Sequence, residues 1–266
     1  LHTAQVVSNQ SEITVKYSLG RLLSLSLIDQ STKADRFALH PLLLLFAREL
    51  AQEQNLLAEA EQRHTDYFIQ YANEHRSFSP TDLDALETEL YALLLTAQRL
   101  TNNQIADYNF YLSLEPFLQT RGYWSQALTL LDSLLDVARY QDDLFRITQL
   151  LLQKGQFYQL LARFEDAEQV LYESKNIALQ IENTWQHQHS LAMVLNLLGG
   201  VYQRQGKFDA AVEALKQSYD LLVALGDERG QAMVLNSLGG VYQRQGKFEE
   251  AAQALRESHD LLVALG

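Results

Sequence analysis

Apolar residues recur at helical spacing along most of the chain. Between 12 and 28, Val15, Leu19, Leu22, Leu23 and Leu27 share one helical face. "Leu-Ile-Asp-Gln" then enters a polar turn, Ser31 to Asp35, and "Arg-Phe-Ala-Leu-His" alternates like the second strand of a small hairpin. Pro41 suits the first position of a helix, which the pattern carries at least to Glu53. Further on the spacing stays helical, and from about residue 103 it also becomes periodic on a longer scale.

That longer period organises the C-terminal half. Residues 190–226 laid over 230–266 agree at 27 of 37 positions. "LGGVYQRQGKF" at 198–208 returns unchanged at 238–248, and "DLLVALG" at 220–226 returns at 260–266. An older copy lies 44 residues upstream, where Gly155, Tyr158, Phe164, Ala167, Leu171 and Ser174 match Gly199, Tyr202, Phe208, Ala211, Leu215 and Ser218. A more worn one shows as Phe117, Gly122, Trp124, Ala127, Leu131 and Ala138. The units fall at about 103–142, 143–186, 187–226 and 227–266. Each reads as two amphipathic helices, the first from about Leu191 to Gln205 and the second from about Phe208 to Leu225. Gly206 between them suits a left-handed helix stop. Gly199 and Ala211 are small where helices must approach closely. One hairpin cannot bury its own apolar stripe, whereas stacked hairpins can.

The pattern Leu198, Gly199, Tyr202, Ala211 and Leu215 resembles the tetratricopeptide repeat (TPR). The spacing of 40 to 44 resembles the longer-helix repeats of kinesin-light-chain type. Val223 stands where that family carries a proline. The resemblance implies an all-α, right-handed superhelix of helical hairpins with a concave face lined by the first helices. It places Met193, Asn196, Gly200, Gln203 and Arg204, with Met233, Asn236, Gly240, Gln243 and Arg244, on that face as a protein- or peptide-binding groove. Asn and Gln can bond a peptide backbone and Arg can meet carboxylates. Gly200 and Gly240 each cost about 1 kcal/mol of helix propensity against Ala. The space they leave lets a ligand or a neighbouring helix come close.

Helix, hairpin, helix over 1–55 reads as the C-terminal part of a winged-helix domain. "RFALHPLLLLFAREL" at 36–50 resembles the end of that domain in STAND ATPases, the NB-ARC-type regulators. The resemblance puts His40 on a histidine that contacts the phosphates of bound ADP, with Pro41 replacing the usual Asp. "RHTDYFIQYA" at 63–72 and "LDALETELYALLLTAQ" at 83–98 resemble the helices that join such a domain to TPRs, which makes 56–102 a linker. By this reading the chain is a piece of a longer protein, with an upstream nucleotide-binding (NTPase) domain that would hold ADP or ATP. The role of His40 exists only with that domain.

Composition narrows the remaining chemistry. The chain has no cysteine, which removes disulfides, thiolate metal sites and cysteine nucleophiles and fits a reducing, cytoplasmic setting. Net charge is −12, and residues 51–146 carry 15 acidic against 6 basic residues. No basic stripe suits a nucleic-acid backbone, and residues 1–50 hold 5 basic and 4 acidic residues, so nucleic acid is not an expected partner. No apolar run is long enough to span a membrane. "GVYQRQGKF" at 200–208 glances at a phosphate loop. It has five residues between the glycines instead of four, though, and Phe208 where Ser or Thr must hold magnesium. His187 and His189 lie two apart, on different helix faces, and no His-Glu-x-x-His spacing occurs, so no metal or catalytic constellation is expected.

The expected function is therefore ligand sensing by a non-enzymatic TPR region that couples partner binding to the winged helix and an upstream ATPase. A free-standing TPR scaffold is the alternative, and a DNA-binding winged-helix regulator a weaker one. Solenoids usually end in a polar capping helix, and Leu261, Leu262 and Leu265 provide none. Self-association through that end is expected.

Overall fold

The computed structural model describes residues 2–30, 36–77, 79–105, 107–181 and 184–266. Fourteen helices and one two-stranded sheet occupy them. They group into two compact units, one of residues 1–103 with 107–117, the other of 104–106 with 118–266.

The first unit comprises α1 (His2–Ser8), α2 (Glu12–Ser24), β1 (Ile28–Gln30), β2 (Phe37–Leu39), α3 (Pro41–Glu53), α4 (Leu57–Glu74), α5 (Pro80–Thr88) and α6 (Leu90–Asn102), followed by α7 (Tyr108–Thr120), which passes into the second unit. Ser11 starts α2 by accepting the Thr14 amide, and Ser79 starts α5 by accepting that of Asp82. The strands pair antiparallel, Ile28 opposite Leu39 and Gln30 opposite Phe37. The polar turn expected at Ser31 to Asp35 lies outside the described residues. The helix expected over 12–28 ends four residues early, because Ile28 is drawn into the strand and buried there. Phe68, Ala72, Leu86, Leu93 and Ala97 form the core. Helix α3 buries none of its residues, and Leu42, Leu44, Leu45 and Phe46 are each about 60% or more exposed.

The second unit continues with α8 (Trp124–Tyr140) and three hairpins: α9 (Leu144–Leu160) with α10 (Phe164–Ala178), α11 (Trp185–Arg204) with α12 (Phe208–Leu225), and α13 (Glu228–Arg244) with α14 (Phe248–Leu265). The same devices recur at each step. A Cβ on Gly155, Gly199 or Gly239 would lie 2.7, 2.5 or 2.7 Å from Leu171, Leu215 or Leu255, so the two helices of each hairpin meet through a missing side chain. Buried Ser174, Ser218 and Ser258 each donate to a carbonyl of the facing helix, Thr148, Ala192 and Ala232, at 2.9, 2.7 and 2.7 Å. Gly206 and Gly246 end the first helices at φ +77° and +75°, a conformation that a side chain resists. Ala192, Ala211, Leu215, Leu222, Val234 and Leu238 belong to one continuous core that α11, α12 and α13 share. Adjacent hairpins are tied at their edges as well. Gln205 donates to Glu168 and Gln245 to Asp209, at 2.9 and 3.0 Å, and Lys207 reaches Glu168 at 2.9 Å.

Candidate peptide-binding groove

In the second unit the first helices of successive hairpins, α9, α11 and α13, pack directly on one another, while their second helices diverge. The first helices therefore form the more closely packed, inner layer. The expected residues lie on α11 and α13, at matching offsets in the two helices. Asn196, Gly200 and Gln203 are half-buried and Arg204 exposed on α11, while Asn236, Gln243 and Arg244 are exposed and Gly240 half-buried on α13. Met233 is 42% exposed, whereas Met193 is half-buried against the shared core, so Met193 contributes more to packing than to an open surface.

Gly200 and Gly240 have a specific neighbour. The amide nitrogen of Gln159 lies 3.5 Å from where a Cβ of Gly200 would stand, and that of Gln203 3.2 Å from the same point at Gly240. Gln159 also donates to the Leu197 carbonyl at 3.1 Å. The space is thus approached by a glutamine of the preceding hairpin, and it seats one first helix against the next. Gln203 has two roles in this arrangement, as a lining residue and as a contact to the following repeat.

Several lining residues escaped the sequence reading although the signal was there. Counting the same offsets from Gly155 as from Gly199 places Gln149, Leu152, Gln156, Gln159 and Leu160 on the inner face of α9. Over the three hairpins the inner stripe then holds glutamine, asparagine, leucine, methionine and two arginines, and no carboxylate, in a chain with 33 acidic residues. Whole helices show the same separation. Helices α9, α11 and α13 together carry five basic residues (Arg146, Lys154, Arg204, Arg229 and Arg244) and one acidic residue, Glu228. Helices α10, α12 and α14 carry eleven acidic and three basic residues. Asp132, on α8, engages Lys154 at 2.5 Å. Arg204 and Arg244 have no ion-pair partner among the described residues. The inner stripe is amide-rich and carries two arginines and no carboxylate, on a chain of net charge −12.

In the first unit, His40 is the N-cap of α3. Its Nδ1 accepts the Leu42 amide at 3.3 Å, which is the capping role open to any hydrogen-bonding side chain there. His64 is of a different kind. Arg99 can only donate, so the 3.1 Å contact from its guanidinium to Nδ1 requires that nitrogen to be unprotonated. Burial, and then Arg99, bring the His64 pKa down to about 4. No group of three or more metal-ligating side chains occurs among the described residues, and no described helix is long and apolar enough to cross a membrane.

Comparison with known proteins bears on the fold. No curated protein sequence matches the chain. Among solved structures it is similar to BtubC (BKLC) from P. vanneervenii, at 18% identity over 84% of this chain and 87% of that one, with a TM-score of 0.54. It is similar to a double mutant of MamA RS-1, at 20% identity over 76% and 96%, with a TM-score of 0.51. It is also similar to a STAND protein with a tetratricopeptide repeat sensor from Pyrococcus horikoshii, at 17% identity and a TM-score of 0.51. There the whole of this chain aligns with 42% of the other. At such identities the likeness is one of fold. Residues 190–262 match the tetratricopeptide repeat family model, and the last two hairpins of the chain are tetratricopeptide repeats.

Proposed function

We propose that residues 103–266 bind an extended, acidic segment of a partner protein along the inner face of the first helices. The charge separation carries this reading. A stripe that carries Arg204 and Arg244 without ion-pair partners among the described residues and no carboxylate, set on a chain of net charge −12, attracts an acidic partner selectively, while the acidic second helices repel it. Asn196, Gln203, Asn236 and Gln243 supply the donors and acceptors for a peptide backbone, and Arg204 and Arg244 the charge for its carboxylates. Such a module binds and performs no chemistry of its own.

In the whole protein this region is the sensor of a STAND-type regulator. Residues 1–55 are the end of its winged helix and 56–102 the linker, and His40 reads nucleotide held by an upstream domain. The order α2, β1, β2, α3 and the whole-chain alignment with the Pyrococcus horikoshii STAND protein support this assignment. A free-standing scaffold is the second reading.

Two measurements test these proposals. Isothermal titration of the chain with a poly-glutamate decapeptide and its poly-glutamine counterpart should give saturable binding of the acidic peptide only. Binding should weaken at least fivefold in Arg204→Ala/Arg244→Ala, and equal binding of both peptides would overturn the groove assignment. The native protein, isolated intact, is weighed and its nucleotide released by denaturation. Stoichiometric ADP in a much larger chain supports the regulator, and a small nucleotide-free protein supports the scaffold.

A further inference from the structure

The array departs from its own period at one place. Helices α9 and α13 have 17 residues each and α11 has 20. By the repeat offsets of 44 and 40, the residue matching Leu144 and Glu228 is Gln188, so Trp185, Gln186 and His187 form an extra turn. In near-copied repeats, the position that breaks the pattern is where a requirement other than folding is expected to act.

The extra turn is held in a defined geometry. The Trp185 indole lies nearly parallel to the His189 ring, at 5.0 Å and 12°. His189 Nε2 sits 3.1 Å from the Asp227 carboxylate, whose other oxygen caps α13 by accepting the Gly230 amide at 2.9 Å. On the opposite side His187 packs edge-on against Phe145 of α9, at 5.0 Å. Three successive first helices are thereby joined at one rim, and yet Trp185 remains 56% exposed. A large aromatic ring that is fixed in place and open to solvent is the usual form of a binding anchor, because little side-chain entropy remains to be lost.

Its place along α11 shows what it serves. Positions 185, 189, 193, 196, 200 and 203 fall within about 80° of arc on an α-helix, so Trp185 and His189 continue the groove stripe beyond Met193. From Trp185 to Arg204 the helix rises about 28 Å, the span of about eight residues of extended chain. A cationic side chain is disfavoured on a face that is already positive.

We propose that Trp185 is a specificity-determining residue of the groove. It receives a proline or aromatic ring that lies about eight residues from the acidic group seated at Arg204. This inference rests on the acidic-segment reading above.

The test uses Trp124→Phe, which leaves Trp185 as the sole indole of a chain with two tryptophans. The probes are synthetic peptides with an Asp-Glu-Asp block at either end and Phe, Pro or Ala placed 2, 5, 8 or 11 residues from it. Affinity by titration calorimetry should peak with Phe or Pro at the eighth place, at least fivefold above Ala, with a blue shift of Trp185 emission. Trp185→Ala, with its helical circular dichroism intact, should erase the ring preference while retaining the acidic one. If acidic peptides bind through Arg204 and Arg244 but ring and Ala peptides bind alike and Trp185 emission stays unchanged, the inference is overturned and the groove assignment stands. If no acidic peptide binds, both fall.

Discussion

Gly199 and Gly200 are neighbours on one helix, yet replacing each by alanine should move stability in opposite directions. An added Cβ at Gly199 would stand 2.5 Å from Leu215 Cγ and 2.7 Å from its Cδ2, and Leu215 is fully buried with no room to retreat. Overpacking of this kind costs about 1–3 kcal/mol. The gain in helix propensity returns about 1 kcal/mol, leaving a net loss of about 1 kcal/mol. At Gly200 the added Cβ would meet only the tip of Gln159, at 3.5 Å, an ordinary contact. Most of the propensity gain survives there, about 0.5–1 kcal/mol. The two variants should therefore differ by about 2 kcal/mol, which at this size separates their melting midpoints by roughly 4–8 °C. Thermal and urea unfolding followed by circular dichroism measure this directly, with Gly239→Ala as a repeat of the tight site. If Gly199→Ala melts at or above the parent chain, or both substitutions shift it the same way, the close-approach account of the hairpins is wrong.

Two further outcomes are expected. His64, with its pKa brought down to about 4, is neutral in the fold and takes up protons more readily when unfolded, at an ordinary pKa near 6.5. Its contribution is therefore complete above pH 6.5 and is lost as pH falls toward 4, by about 1–2 kcal/mol once the ring's partial exposure is discounted. His64→Gln should remove that part of the acid sensitivity, and urea midpoints at pH 7 and pH 5 that respond identically in both proteins would contradict it. At the other end of the chain, Leu262 is 51% exposed where its repeat counterpart Leu222 is fully covered. Self-association through α14 should appear as a rising mass in light scattering across concentration and weaken in Leu262→Glu. A constant monomer mass at high concentration would refute it.

The repeats were legible because each step is specified locally. Phe208 and Phe248 begin their helices at the expected residues, and Gly206 and Gly246 stop the preceding ones with the left-handed turn that glycine allows. One upstream copy hid the same turn behind another residue, since Ala162 adopts φ +55° at the place where Gly122, Gly206 and Gly246 stand in the other copies. The start of α11 was misjudged by six residues. Its first two turns, from Trp185 onward, are polar and lack an apolar period of their own, and they are fixed by Phe145 and Asp227 from neighbouring hairpins. Distance along the chain also concealed the tenant of the Gly200 space, because Gln159 lies forty-one residues upstream. The polarity of the groove was missed for a related reason. Net charge summed over stretches of sequence mixes inner and outer helices, and only their assembly sorts the acids to one side.

The Gln159–Gly200 and Gln203–Gly240 seats bear on how such an array changes over time. The last two hairpins each offer a glycine notch to the unit behind, and the glutamine peg of the preceding unit fills it, so the seat itself is passed on with each copied unit. A tract of forty residues can then be gained in one recombination event with the glutamine–glycine seat preserved. Each event would lengthen the recognition surface by roughly 10 Å, the ordinary spacing of packed helices. Ligand range could be retuned by copy number alone, before a single side chain in the groove is altered.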